Sequence, residues 1–127
     1  MDGRIHELWS KGYGWTHKNI SAGMNVTPAA GDPMGYAWNA TGEQHIFYRG
    51  TDKQVHELRY THDAGWQHHR IGMEANAPQV VSDVSAYVWL RDGSQHVVYM
   101  GENGRVHELW ATVDNNWKHK EINTSGN

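Results

Sequence analysis

Three glutamates are the residues best placed to do chemistry. Glu7, Glu57 and Glu108 stand in the phrases RIHELW (4–9), QVHELR (54–59) and RVHELW (105–110). Alternation along the first phrase puts Ile5, Glu7 and Trp9 on one side of a strand and Arg4, His6 and Leu8 on the other. A carboxylate on a partly apolar strand face needs a partner. That partner is either a hydroxyl of a ligand or a donor within the protein, such as Arg4, Arg105 or a histidine. The pattern leaves these two readings even.

Histidine and tryptophan follow the same rhythm. GWTHKNI (14–20), GWQHHRI (65–71) and NWKHKEI (116–122) trail the three glutamates, with Trp15, Trp66 and Trp117 spaced by 51 residues. A second pattern fills the gaps: GYAWNATGEQHIFYRG (35–50) matches AYVWLRDGSQHVVYMG (86–101), so that Trp38 and His45 return as Trp89 and His96. Ten histidines raise the question of metal. There is no H-x-H pair and no HExxH, and His68-His69 is an isolated doublet. Hydrogen bonding across strands is the favoured role for His6, His56 and His107, which would meet around a central channel only in a closed ring. His45 and His96 are the exceptions, as candidate ligand contacts. No metal and no cofactor is expected.

The elements that must carry these residues are short strands. The His-Glu-Leu copies lie 50 and 51 residues apart, so the chain is an internal repeat. Runs such as QHIFYR alternate with period two, and turn signals separate them at Thr51-Asp52, Ala64-Gly65, Asp92-Gly93 and Glu102-Asn103-Gly104. No stretch sustains helical periodicity. The repeats divide the single domain 1–127 into five halves, 1–25, 26–50, 51–76, 77–101 and 102–127, with two strands in each. Read in chain order, a unit is a His-Glu-Leu half followed by a Tyr-x-Trp half. An all-β fold results, with a four-stranded unit every 51 residues or so. That is the size of a β-propeller blade, and the chain holds about two and a half blades. Closure then calls for a homo-oligomer, a dimer giving five blades being favoured, or for a longer propeller. The His-Glu-Leu halves outnumber the others by three to two.

Composition narrows the function. A net charge of −3 gives no basic footprint for nucleic acid, and no apolar run approaches a membrane span. Without cysteine there is no thiol catalysis. Neither G-x-S-x-G nor a P-loop is present. The opening MDGRIHELW already belongs to a repeat, so no signal peptide is visible, and a cytoplasmic or non-classically secreted protein fits. The polar tail INTSGN is expected to fray. Seven Trp and six Tyr against one Phe favour rings with a polar edge, suited to half-wet surfaces.

The run YRGTDKQVHELRYTHDAGWQHHRI (48–71) resembles the bladed sugar-binding lectins, both the fucose-binding propellers and the bacterial lectins with RGTD and GW repeats. The resemblance implies shallow sugar sites between adjacent units, each with a Glu acceptor, an Arg donor and a stacking ring. Glu7, Glu57 and Glu108 match the glutamate position. The arginine position falls on His45 and His96, a departure that leaves the monosaccharide, fucose or another, open. Arg49 lies in the RGTD run. Trp9 and Trp110 are candidates for the aromatic position, where the middle copy has Arg59, and Trp15, Trp66, Trp117, Trp38 and Trp89 compete for it. Asp32 and Asp83 recur in turn-like linkers, which does not supply the paired carboxylates of a glycosidase. The expectation is a multivalent carbohydrate-binding lectin and not an enzyme. The alternative is a structural or protein-interaction propeller fragment that binds no sugar.

Overall fold

The computed structural model describes residues 2–38 and 42–122, and the polar tail from residue 123 lies outside them. Ten strands form: β1 (His6–Ser10), β2 (Trp15–Asn19), β3 (Met34–Trp38), β4 (Glu43–Arg49), β5 (Val55–Thr61), β6 (Gly65–His69), β7 (Ser85–Trp89), β8 (Ser94–Met100), β9 (Val106–Ala111) and β10 (Lys118–Glu121). One helical turn, α1 (Ile71–Glu74), follows β6. The chain is all-β. No helix among the described residues is long and apolar enough to cross a membrane.

The strands build three antiparallel sheets: β1-β2, β3-β4-β5-β6 and β7-β8-β9-β10. Each half of the sequence contributes one hairpin, as its alternation requires. The halves join differently from the reading in chain order, because each four-stranded sheet unites a Tyr-x-Trp half with the His-Glu-Leu half that follows it. Link length explains this. Residues 50–54 and 101–105 are short connections that let β5 fold back onto β4 and β9 onto β8. Residues 20–33 and 70–84 are long enough to leave one sheet and start another. The first His-Glu-Leu half is therefore a hairpin by itself.

Side chains directly opposite in these registers share a face. On the middle sheet one face carries Tyr36, His45, Phe47, Glu57 and Arg59, and the other carries Gln44, Ile46, Tyr48, Leu58 and Trp66. The first face packs on the third sheet through a core that joins Phe47, Val55 and Ile71 to Val80, Val97, Leu109 and Trp117. Trp117 meets Phe47 edge-on, with centroids 5.5 Å apart. The opposite face of the middle sheet receives the β1-β2 hairpin, where Ile5 and Ile20 pack on Tyr48 and Leu58. All three sheets thus stack in one direction: the hairpin and the middle sheet each present the glutamate face to the next sheet, and among the described residues no sheet covers that face of the third.

Two glycines are demanded by close approach. A Cβ on Gly50 would lie 2.6 Å from the His56 ring, and one on Gly101 would lie 2.7 Å from the His107 ring. Above those rings stack Tyr48 and Tyr99, at 5.2 and 5.5 Å. The Tyr-x-Gly spacing in both copies is set by this packing.

Candidate ligand-binding site

The three glutamates occupy equivalent strand positions with unequal neighbours. Glu57, on β5, is 0% exposed. Its Oε2 accepts from His45 Nδ1 at 2.7 Å and its Oε1 accepts from Arg59 Nη2 at 2.9 Å. His45 is equally buried, with Nε2 3.2 Å from Glu43, and Trp38 closes over its edge. Both carboxylate oxygens are consumed, and the third sheet covers the face. The cluster Glu57, His45, Trp38 is thus assembled as a packed polar core.

Glu108, on β9, is only half-buried, because no sheet among the described residues covers its face. His96 Nδ1 donates to its Oε2 at 3.0 Å, and His96 Nε2 meets the Ser94 hydroxyl at 2.7 Å. Ser94 in turn donates to Asp92 at 2.6 Å, which anchors the network in the β7-β8 turn. Tyr87 stacks on His96 at 4.9 Å and 9°, and Trp89 approaches its edge at 6.3 Å. These two rings remain 47% and 51% exposed. Trp110 lies directly opposite His96, and Lys118 Nζ sits 4.9 Å over its ring. Burial raises the Tyr87 hydroxyl above its ordinary pKa, and the Glu108 charge adds to this. Glu108, His96, Trp89 and Trp110 are therefore brought together on one face that no sheet among the described residues covers, with Tyr87 as a fifth member. Trp89 and Tyr87 are its exposed members, while His96 is only 9% exposed and has both ring nitrogens engaged.

Glu7 shows a third state. Its carboxylate makes no hydrogen bond or ion pair among the described residues. It borders a cleft of about 510 Å³ with Trp9, Lys18, Gln44, Tyr60 and Trp66, between the hairpin and the middle sheet. Arg49 lies apart from all three glutamates. It donates to the Ala30 carbonyl at 2.9 Å, 3.8 Å from Asp83, and lines a separate cleft with Asp2, Arg4 and Asp32.

The His-Glu-Leu histidines form cross-strand pairs. His56 donates Nε2–H to Asp52 at 2.9 Å, and its Nδ1 lies 2.9 Å from His68 Nε2. His6 repeats this with Asp2 and His17, and His107 with Asn103 and His119. The ring-to-ring bond needs at least one neutral partner. Burial pushes His68 down to about 4, and the His56 and Arg70 charges act in the same direction. Burial, then His107, lowers His119. Unfolded histidine titrates near 6.5. Between about pH 6.5 and 4 the unfolded chain therefore binds more protons than the folded one, and stability falls as pH falls through that window. Both rings are partly wet, so the loss is on the order of 1 kcal/mol. A urea midpoint that drops from pH 7 to pH 5, and a flatter profile for His68→Gln, is the expected result. Equal midpoints would contradict it.

Among the described residues no group of three or more His, Asp or Glu side chains is placed to hold a metal ion. The open cluster was readable in part, since Trp89, Trp110, His96 and Glu108 follow from the repeat. Tyr87 was missed as a site residue, although it recurs with Tyr36. The signal was the direct register of Tyr87 with His96, which a hairpin turn at Asp92-Gly93 fixes. No family model matches the chain, and no curated protein matches it.

Proposed function

We propose that the chain is part of a β-propeller and acts as a multivalent carbohydrate-binding lectin. The observation that carries this reading is the open cluster on the third sheet. Two half-exposed aromatic rings stand beside a carboxylate and an imidazole already held in place by Ser94 and Asp92. A sugar has an apolar C–H face and a hydroxyl edge. Trp89 or Tyr87 suits the first, and Glu108, held in place by His96, suits the second. Holding the polar groups before ligand arrives lowers the ordering cost of binding. The resemblance of the RGTD and GW runs to propeller lectins supports the same assignment, as does the face-to-face stacking of four-stranded meanders.

One such site is weak. A millimolar affinity corresponds to about −4 kcal/mol, and linked sites raise avidity by roughly 10²–10⁴ when they engage one surface together. Association supplies the further sites. Two chains of ten strands hold 2 × 10 = 20 strands, the number in five blades of four, present as four four-stranded sheets and two β1-β2 hairpins.

A second reading is favoured by the middle sheet, where the same residue pattern is sealed inside. Glu57, His45 and Trp38 show that the cluster can serve as packing alone, which suits a structural or protein-interaction role. Glu108→Gln separates the two. On the lectin reading it weakens glycan binding about tenfold, the value of a charged hydrogen bond, and leaves the thermal midpoint nearly unchanged. A lowered midpoint, in a parent chain that binds no glycan, supports the structural reading.

A further inference from the structure

We infer that the free edge of β1 is a docking site for a β-hairpin of the β3-β4 type, one that reads Tyr-x-Trp and then Gln-His-x-x-Tyr. The inference stands apart from sugar binding and rests on three features of one place. First, among the described residues β1 pairs only with β2, while its counterparts β5 and β9 are paired on both sides. An unpaired edge offers main-chain donors and acceptors to an incoming strand.

Second, Glu7 has no partner among the described residues, whereas Glu57 and Glu108 each accept from a histidine on the preceding strand. The registers are alike: His45 lies opposite Arg59, and His96 lies opposite Trp110. A strand added to β1 in the same register places its histidine opposite Trp9, with Nδ1 toward Glu7. Third, a cleft of about 250 Å³ opens beside Glu7, floored by Gly35, Gln44 and Ile46. At the next junction that position is filled. Tyr36 donates its hydroxyl to Gln95 at 2.8 Å, and Gln95, the counterpart of Gln44, is fully buried. An incoming Tyr-x-Trp strand gives Gln44 the same donor.

These chemical needs select the occupant. A second β1, as in a dimer closed by two such hairpins, presents Glu7 and Trp9 on the shared face and brings no histidine there. A hairpin reading Tyr-x-Trp and then Gln-His-x-x-Tyr brings both missing donors.

The test titrates a synthetic peptide of residues 77–101 into the full chain by calorimetry. The expected result is saturable binding of one peptide per chain, with the hairpin ordering as it docks. Glu7→Gln in the chain, or His96→Ala in the peptide, weakens binding about tenfold. Combining both changes costs no more than either alone, the signature of a direct contact. Three results overturn the inference. One is no saturable binding up to ~1 mM peptide with the chain folded. Another is binding that neither substitution alters. The third is self-association of the chain that excludes the peptide, which gives the edge to a second copy instead.

Discussion

Replacing Glu57 with alanine is expected to destabilise the chain by about 3–5 kcal/mol, the range for breaking a buried ion pair from one side. Its two oxygens hold His45 and Arg59, and all three side chains are buried or nearly so. Removing the carboxylate leaves a charged guanidinium and an imidazole without their acceptor in a place water does not reach. Glu7→Ala is the internal control. The residue has the same position in its phrase, but no bond to lose among the described residues, so its cost is about 0.5 kcal/mol or less. Urea denaturation of the two variants checks the contrast. Equal midpoints would mean that the Glu57 network adds nothing to the fold.

The second large effect is expected at Trp117. The ring is 5% exposed and stands edge-on to Phe47 between the middle and third sheets. Trp117→Ala leaves a cavity there and costs about 3–5 kcal/mol. Against a typical total of about 5–15 kcal/mol, that loss brings the chain near unfolding at ambient temperature. Trp15 is its counterpart 102 residues earlier, yet 73% exposed. Trp15→Ala is expected to cost under ~1 kcal/mol. Thermal melts of both variants decide it. A similar loss at the two positions would contradict the sheet stacking described above.

These pairs also show how far the sequence could be read. Alternation in RIHELW and QHIFYR places the right residues on the right faces, because a strand has a strict period of two. Cross-strand histidine pairing follows from the same period, since His56 and His68 fall on one face of adjacent strands. The partnering of halves was also legible, in the short links at 50–54 and 101–105, though reading units in chain order obscures it. The environment of each copy was not legible. Glu7, Glu57 and Glu108 share a phrase but have different neighbours, one beside an open cleft, one sealed, one on an open face. A repeated sequence fixes what each residue offers, while stacking order fixes what it meets. The sugar-contact candidates divide for that reason: His96, Glu108, Trp89 and Trp110 gather on a face that no sheet among the described residues covers, His45, Glu57 and Trp38 gather under the third sheet, and Arg49 belongs to neither group.

The contrast bears on mechanism. If an open copy binds ligand, the sealed copy displays how its polar network is built, with an arginine from the Trp110 position replacing the ring. Recognition at the open surface then depends on Trp89 and Tyr87 staying accessible and on His96 being held by Ser94. Arg59 at that position suits a sealed copy, since a guanidinium brings a compensating charge and several donors to a buried carboxylate where an indole brings one neutral N–H.

Glycan recognition is proposed at the Trp89 and Tyr87 rings beside Glu108. A glycan array probed with the labelled, folded chain tests it most directly, with Trp89→Ala run alongside. Binding to at least one class of glycan is expected, lost in Trp89→Ala while the thermal midpoint holds. A folded chain that binds no glycan on the array, or binding that survives Trp89→Ala, would contradict it.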